Sequence, residues 1–191
     1  MPLSVSLGVR QPTLDDNLRA FLRGAQPWSL ILFREACVTR DQVRVLCADL
    51  REAAGYDSVV YIDQEGGRVA RLKPPEWPTW PASAEYGMLY THDADAAIEA
   101  AHLGHRLIGH ELKGMGVDGN FTPVCDVPVD GADLIIGDRA FSQDPKIIPT
   151  LARAALEGLH AGGVAGCIKH MPGHGRAEAD SHLALPKVRA P

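Results

Sequence analysis

The sequence has no long apolar run, no cluster of basic residues and few aromatic side chains, which make up 6% of its 191 residues. Its longest apolar stretches are far shorter than the ~18 residues that a membrane-spanning helix requires. Lys and Arg number 19 against 24 Asp and Glu, which gives a net charge of -5. Because nucleic acids and anionic membranes attract basic surfaces, we expect neither as a partner.

Several short motifs are also missing. The glycine-rich phosphate loops of dinucleotide-binding and P-loop proteins do not occur, so we expect no nucleotide chemistry and no cofactor. The four cysteines contain no C-x-x-C pair, which argues against a thiol redox motif and a structural zinc site. Residues 1–10 lack the basic start and the apolar stretch of a secretory signal, so we expect a cytoplasmic protein.

The sequence does contain an alternation of short β-branched stretches and longer helical patterns. Strands are predicted at residues 3–9, 29–33, 58–62, 120–124 and 164–169. Helices are predicted from a Thr13 cap to Gly24, from a Thr39–Gln42 capping box to Gly55, over 93–115, and from Pro145 to His160. Residues 63–92 and 126–142 are predicted to be long loops. Since parallel strands need crossover connections that are usually helical, this order predicts an α/β fold with a parallel sheet.

Polar, motif-bearing loops follow the carboxyl ends of three predicted strands, at Asp63, Asp126 and Lys169. This polarity is typical of a (β/α)8 barrel, whose active site lies at that face, and it suits an open doubly wound sheet less well. A complete barrel needs about 250 residues. We therefore predict a TIM-barrel type fold with about five of the eight β/α units, in a single domain over residues 1–191.

The loop after the fifth predicted strand combines Lys169 with His170, His174, Asp180 and His182. If the segment is extended, Asp180 and His182 point to the same side, because they are two residues apart. The carboxylate can then fix the imidazole tautomer while the other ring nitrogen exchanges a proton with a substrate. The alternative is that the three histidines ligate a metal. Their spacing fits no standard zinc motif, and Lys169 would repel a cation, so no metal site is predicted.

The segment that begins at Asp63 is a second candidate site. An aspartate at a strand end, followed by two glycines, allows close backbone approach, and Arg68 and Arg71 can reach hydroxyl or carboxylate groups. In the alternative interpretation these residues are structural, with Asp63 capping a turn and Arg68 or Arg71 pairing with Glu65.

Residues 136–145 form a third polar segment, in which Arg139 is the candidate to face the same cleft. This signal is weak when it is taken alone. Asp138 and Arg139 can equally well brace their own loop.

Four segments together resemble the bacterial β-N-acetylglucosaminidases of glycoside hydrolase family 3, of the NagZ type. They are Ile-Asp-Gln-Glu-Gly-Gly-Arg at 62–68, Asn-Phe-Thr-Pro-Val-Cys-Asp-Val at 120–127, Ile-Gly-Asp-Arg-Ala-Phe at 136–141, and Lys-His-Met-Pro-Gly-His-Gly at 169–175 followed by Asp-Ser-His at 180–182. The Asp-Ser-His ending is the most specific part, since the family-3 β-glucosidases use a glutamate as acid/base. The resemblance runs in order through essentially the whole chain.

The resemblance implies a retaining hydrolase that removes terminal β-linked N-acetylglucosamine (GlcNAc) from peptidoglycan fragments, the GlcNAc-anhydroMurNAc peptides, during cell-wall recycling. At full length such an enzyme is expected to be a monomer and to need no cofactor. By resemblance, His182 is the general acid/base and Asp180 orients it. The residues implied to hold the sugar are Asp63, Arg71, Arg139, Lys169 and His170.

In the family, the nucleophile is an aspartate on a later strand, and no aspartate of this chain lies in that motif. The expectation is therefore that the nucleophile lies beyond Pro191 and that the sequence is the N-terminal portion of the enzyme. Two alternatives stay open. One is a catalytically inactive fragment that binds sugar, and the other is a β-GlcNAc phosphorylase, in which phosphate replaces water as the acceptor.

Overall fold

The computed structural model describes residues 2–188 and contains seven strands in that range. They are β1 (Leu3–Val9), β2 (Pro27–Leu32), β3 (Val59–Ile62), β4 (Gln64–Gly66), β5 (Val69–Ala70), β6 (Gly119–Asn120) and β7 (Ala165–Gly166). Five of them form one sheet in the order β1-β2-β3-β6-β7, and every neighbouring pair is parallel. The predicted parallel α/β arrangement is confirmed, although β6 and β7 are shorter than the predicted strands.

Helices connect the strands and cover one face of the sheet. They are α1 (Asp16–Ala25), α2 (Arg40–Ala54), α3 (Ser83–Tyr90), α4 (Ala94–Gly114) and α5 (Ile148–Ala161). Leu22 of α1, Leu46 of α2 and Ile108 of α4 pack with Val60 and Ile62 of β3 in one buried cluster. Burial of this apolar surface is what holds the helices on the sheet.

The predicted boundaries are correct for α2 but wrong for α1. The Thr39 side chain caps α2, as predicted, and the helix ends at Gly55. In contrast, α1 is capped by Asp15, whose carboxylate accepts the backbone N–H of Leu18, and it ends at Gln26. The predicted Thr13 cap and Gly24 stop are therefore wrong, because a carboxylate two residues further along reaches the free N–H groups of the first turn.

Two loop predictions need correction. Residues 63–92 hold the antiparallel β4–β5 hairpin and helix α3, where only a loop was predicted. Helix α5 begins three residues later than the Pro145 prediction, because the Asp144 carboxylate accepts the N–H of Lys146 in a turn that precedes the helix. A short 3-10 turn, Gly137–Arg139, interrupts the predicted loop over 126–142.

Side chains alternate between the two faces of the sheet, and this alternation positions the polar strand ends. Val60 and Ile62 face the helices, whereas Tyr61 lies on the opposite face and stacks on Phe121 with ring centroids 4.9 Å apart. Asp63 continues on the same side as Tyr61, one position past the end of β3. Its carboxylate therefore lies at the carboxyl edge of the sheet, on the face that no helix covers.

The cysteines are free thiols, and two of them lie in the core. Burial raises the pKa of Cys37 to about 11 and that of Cys47 to about 12, so both stay protonated at neutral pH. Between residues 2 and 188 there is no helix that combines the length and the apolar character needed to cross a membrane.

Candidate active site

Asp63 lies between two cations at the carboxyl edge of the sheet. Its Oδ1 accepts a hydrogen bond from Lys169 Nζ at 2.8 Å, and its Oδ2 accepts one from Arg71 Nη2 at 3.0 Å. Burial raises the pKa of this carboxyl, but Lys169 and then Arg71 outweigh burial, so the net pKa is below its usual value. The Asp63 side chain keeps 21% of its surface exposed, which leaves an ionised acceptor open to the cleft.

Glu65, two residues further on, pairs with Arg139 and shares Lys169 with Asp63. Arg139 donates to it twice, Nε to Oε2 and Nη2 to Oε1, both at 2.9 Å, and Lys169 Nζ lies 2.5 Å from Oε1. The interpretation that Glu65 pairs with Arg68 or Arg71 is therefore wrong. Sequence reasoning gave Glu65 no role in the site. The available signal was its spacing of two from Asp63, which places both carboxylates on one side of an extended segment.

Arg68 braces the loop that carries Arg139. Its Nε donates to Asp138 Oδ1 at 2.8 Å, and its Nη2 donates to the carbonyl oxygens of Ile135 at 2.6 Å and Leu134 at 3.0 Å. The hypothesis that Asp138 braces this loop agrees with these contacts. Arg139 does both: its Nη1 donates to the Ile135 carbonyl oxygen of the same loop at 3.0 Å, while its Nε and Nη2 bind Glu65 beside the cleft.

Asp126 holds His170 in one orientation. The Asp126 Oδ2 atom lies 2.5 Å from Nδ1 of His170, and the other ring nitrogen, Nε2, lies 3.1 Å from Arg139 Nη2. Because an arginine can only donate, Nε2 accepts, and the His170 proton is on Nδ1. In this tautomer the imidazole links Asp126 to the guanidinium of Arg139.

The remaining contacts of Asp126 determine what this carboxylate can do. Its Oδ1 accepts the backbone N–H of His174 at 2.5 Å, and its side chain is fully buried. Burial raises its pKa, but the hydrogen bonds from His170 and His174 bring the net pKa below the usual value. With both oxygens occupied and no exposed surface, Asp126 is suited to orienting His170 and cannot reach a substrate. Sequence reasoning placed Asp126 at a strand end but assigned it no role.

Asp180 and His182 form the predicted carboxylate–imidazole pair, although the backbone conformation between them differs from the predicted one. Nδ1 of His182 lies 2.6 Å from Asp180 Oδ1, and the same oxygen accepts the backbone N–H of His182 at 2.8 Å. These contacts hold the pKa of Asp180 below its usual value. The backbone here is a turn rather than an extended segment. The His182 ring is 76% exposed, so Nε2 is open to the cleft.

A cleft of about 340 Å³ brings the predicted residues together. Six of the seven predicted site residues line it: Asp63, Arg71, Arg139, Lys169, His170 and His182. The seventh, Asp180, is held against His182. Their roles toward a ligand remain predictions, but the structure places all of them at one end of the sheet.

The three histidines of the last loop do not converge on one point. His170 is bonded to Asp126 and Arg139, and His182 is bonded to Asp180, while the ring of His174 lies edge-on to His170 at a centroid distance of 6.2 Å. Within the described residues, no group of three or more His, Cys, Asp or Glu side chains is arranged to hold a metal ion.

Comparison with known sequences identifies the family. The profile described as Glycosyl hydrolase family 3 N terminal domain matches residues 12–191. The chain belongs to glycoside hydrolase family 3. Among the family's curated relatives, the Beta-hexosaminidase of Bordetella avium is 37% identical over 185 residues, which are 97% of this chain and 52% of the relative. The chain thus spans about half the length of the curated relatives that it matches.

Solved structures of the family agree with this assignment. NagZ from Neisseria gonorrhoeae superimposes with a TM-score of 0.89 at 34% identity, covering 97% of this chain and 54% of that protein. The same protein in complex with N-trifluoroacetyl-D-glucosamine gives a TM-score of 0.88 at 33% identity, over 97% of this chain and 56% of the other. The predicted family and the predicted barrel-type fold with about five β/α units are therefore confirmed.

Proposed function

We propose that this chain supplies the GlcNAc-binding and acid/base portion of a retaining exo-β-N-acetylglucosaminidase. One observation carries the proposal. The Asp63 carboxylate, held between Lys169 and Arg71, shares a single cleft with the Asp180–His182 pair. A paired acceptor and donor suit vicinal sugar hydroxyls, and an exposed, carboxylate-oriented imidazole suits proton transfer to a glycosidic oxygen. The names of the Beta-hexosaminidase relatives and the amino sugar bound to NagZ support the same sugar.

His182 acts first as an acid and then as a base. Asp180 accepts the Nδ1 proton, so the acid step requires the imidazolium form, whose Nε2 proton passes to the leaving oxygen. The neutral ring that results then takes a proton from water at the same Nε2. An imidazole in this role replaces the second carboxylate of most glycosidases. We assign the nucleophile to no residue described here, since the fully buried Asp126 is committed to His170 and His174.

Binding and turnover test the proposal separately. The chain is expected to bind GlcNAc saturably in a calorimetric or NMR titration, and Lys169→Met is expected to weaken binding on the order of 10-fold or more. Glucose, which lacks the acetamido group, is the matched control ligand and is expected to bind more weakly. Absence of saturable GlcNAc binding by the wild-type chain would overturn the proposal.

A chromogenic β-GlcNAc glycoside tests the acid/base assignment. In any active form of the enzyme that contains this chain, His182→Ala is expected to lower kcat for this substrate by about 10²- to 10⁴-fold. Robust turnover by the 191-residue chain would show that one of its own residues acts as the nucleophile, which would contradict the assignment made above. Binding without turnover is the result expected of this chain, both as a portion of the enzyme and as the sugar-binding fragment of the alternative.

A β-GlcNAc phosphorylase is the second candidate, and the imidazole of His182 favours it, because a neutral ring does not repel phosphate as a carboxylate would. Turnover that depends on added phosphate and yields GlcNAc 1-phosphate would select this candidate. Turnover that is unchanged by phosphate would select hydrolysis.

The biological setting is a further part of the proposal. We propose GlcNAc-anhydroMurNAc peptides from peptidoglycan recycling as the natural substrate, a cytoplasmic location, and a monomeric state at full length. Release of GlcNAc from purified muropeptides, compared with chitobiose as a peptide-free control, tests the substrate. Faster cleavage of chitobiose than of the muropeptides would contradict it.

A further inference from the structure

Two buried amide side chains connect the strand ends that carry the sugar-site residues. Asn120, at the end of β6, makes two hydrogen bonds to the backbone of Gln64. Its Oδ1 accepts the Gln64 N–H at 2.9 Å, and its Nδ2 donates to the Gln64 carbonyl oxygen at 2.8 Å. Asn120 is fully buried and Gln64 is 1% exposed. One side chain thus clamps both polar backbone groups of the residue that separates Asp63 from Glu65.

The side chain of Gln64 carries the connection further along the chain. Its Oε1 accepts the backbone N–H groups of Arg71 at 2.9 Å and Leu72 at 3.0 Å, and its Nε2 donates to the Leu72 carbonyl oxygen at 3.2 Å. These three bonds tie the end of the β4–β5 hairpin back to its beginning. The two amide side chains therefore fix the backbone of Arg71 as well as the backbone of residue 64.

Neither amide touches the cleft, but each acts on residues that line it or hold its cations. The backbone of Gln64 is flanked by Asp63, which contacts Lys169 and Arg71, and by Glu65, which contacts Arg139 and Lys169. A displacement of the residue 64 backbone would therefore move both carboxylates and the cations that they hold.

We propose that Asn120 and Gln64 are positioning residues of the sugar site. They form a relay that fixes Asp63 and Arg71 in the geometry that binds the ligand. The ligand named in this inference rests on the proposed GlcNAc-binding function. The ordering of the backbone by Asn120 and Gln64 does not depend on that function. Its physical basis is that binding groups must be held within a fraction of an ångström, which requires supporting side chains with satisfied hydrogen bonds.

Isosteric substitutions remove the relay without opening a cavity. In Asn120→Asp, the donor that faces the Gln64 carbonyl becomes a second acceptor, so two oxygens face each other in a buried site. In Gln64→Met, the volume is retained, and the N–H groups of Arg71 and Leu72 lose their shared acceptor. Each variant is expected to raise the Kd for GlcNAc on the order of 10-fold. The double variant is expected to raise Kd by less than the product of the two effects, because both act on one segment.

Backbone amide hydrogen exchange supplies a readout that does not depend on ligand. In both variants, residues 63–72 are expected to exchange faster than in the wild type, with the helices unchanged. Leu22→Ala, in α1 and in the same buried cluster as Leu72, is the control for lost stability. It removes no hydrogen bond of residues 63–72, so it is expected to lower stability and to leave the Kd unchanged.

The outcomes separate this inference from the proposed function. Protection and GlcNAc affinity that stay at wild-type values in folded Asn120→Asp and Gln64→Met would overturn the inference, even if the wild type binds GlcNAc. Equal loss of affinity in Leu22→Ala, at a matched loss of thermal stability, would also overturn it. If the wild type binds no GlcNAc, the proposed function fails, and faster exchange confined to residues 63–72 would still support the relay.

Discussion

Asp63 and Glu65 have different tasks although they lie two residues apart. Both contact Lys169 Nζ through a carboxylate oxygen, but the Asp63 side chain keeps 21% of its surface exposed, whereas Glu65 keeps 2%. A ligand can therefore reach Asp63 and cannot reach Glu65. The buried carboxylate is best understood as the counter-charge that allows Arg139 and Lys169 to lie side by side, since a buried cation without a partner is costly.

The first prediction concerns this counter-charge. Glu65→Gln is expected to lower the free energy of unfolding by about 3–5 kcal/mol, because it leaves the buried Arg139 guanidinium without its carboxylate and Lys169 with Asp63 alone. Asp41→Asn is the control, since the carboxylate of Asp41 pairs with Arg44 at an exposed surface. The control is expected to change stability by about 0–1 kcal/mol in urea denaturation. Equal effects of the two substitutions would contradict the role of Glu65.

The second prediction concerns pH. Since the folded chain holds the Asp63 pKa below its unfolded value, the native state binds fewer protons than the unfolded state in acid. The stabilisation is fully present above the unfolded pKa of about 3.9 and is lost as the pH falls through the folded pKa. Thermal melting from pH 7 to pH 2.5 is expected to show a shallower acid decline for Asp63→Asn than for the wild type. The pKa of Asp126 is also lowered, so this carboxyl contributes to the loss of stability in acid in both proteins. Superimposable pH profiles would refute the prediction.

At the scale of elements, the segments that sequence patterns missed are short and held by contacts from elsewhere. Helix α3 has eight residues, its N-cap residue Ala82 offers no side-chain oxygen, and its apolar residues do not gather on one face. Its position depends instead on packing. A Cβ atom at Gly87 would lie 1.6 Å from the carbonyl oxygen of Phe141, so the helix backbone rests directly against that residue.

Helices α4 and α5 meet through glycines in the same way, which allows a third prediction. A Cβ at Gly158 of α5 would lie 2.2 Å from the carbonyl oxygen of His102 in α4. Gly158→Ala is expected to lower the free energy of unfolding by about 1–3 kcal/mol through overpacking. Gly114→Ala, in the last turn of α4, is the matched control.

Apart from its chain neighbours and the backbone of its own helix, no described atom lies within 4 Å of a Cβ built at Gly114, so alanine is expected to stabilise the protein by about 0.5–1 kcal/mol there. Both changes can be measured by denaturant unfolding. If Gly158→Ala raised the free energy of unfolding, the prediction would be contradicted, because α4 and α5 could then move apart without destabilising the protein.

At the scale of the whole molecule, the sheet is open at both sides within residues 2–188. The outer strands β1 and β7 each pair with one neighbour. Apolar side chains are exposed at these edges and on the last loop, including Leu3 at 54%, Ile168 at 51% and Leu183 at 86%. Unpaired strand edges and exposed apolar surface both favour association with other chains.

The fourth prediction follows from these edges. The 191-residue chain, expressed alone, is expected to associate in a concentration-dependent manner, which light scattering coupled to size exclusion would measure. Replacing Leu3 and Ile168 with lysine is expected to reduce association, because charges at a strand edge oppose pairing. Lysine at Phe21, an exposed residue of helix α1 and not of a strand, is the control. A monomeric wild type at all concentrations, or equal effects of edge and control variants, would contradict the prediction.

Much of the molecule could be predicted from sequence because the signals are local. Buried β-branched stretches and capped helical patterns identify the five parallel strands and their connecting helices, and the Asp-Ser-His motif is enough to bring Asp180 and His182 together. The positions of Asp63 and Lys169 at strand ends likewise predict their meeting, because the carboxyl ends of parallel strands share one edge of the sheet. Motifs of this kind also carry the family resemblance.

Only the tertiary structure decided which charge pairs with which. Glu65 meets Arg139 across 74 positions of sequence, and Asp126 meets His170 across 44. No local period encodes such pairs, since they depend on how far each strand extends and how each loop turns back over the sheet. The Asn120–Gln64 relay has the same origin. The sequence by itself thus determined the family, the order of elements and most residues of the cleft, and the packed sheet determined which groups face the ligand and which hold them in place.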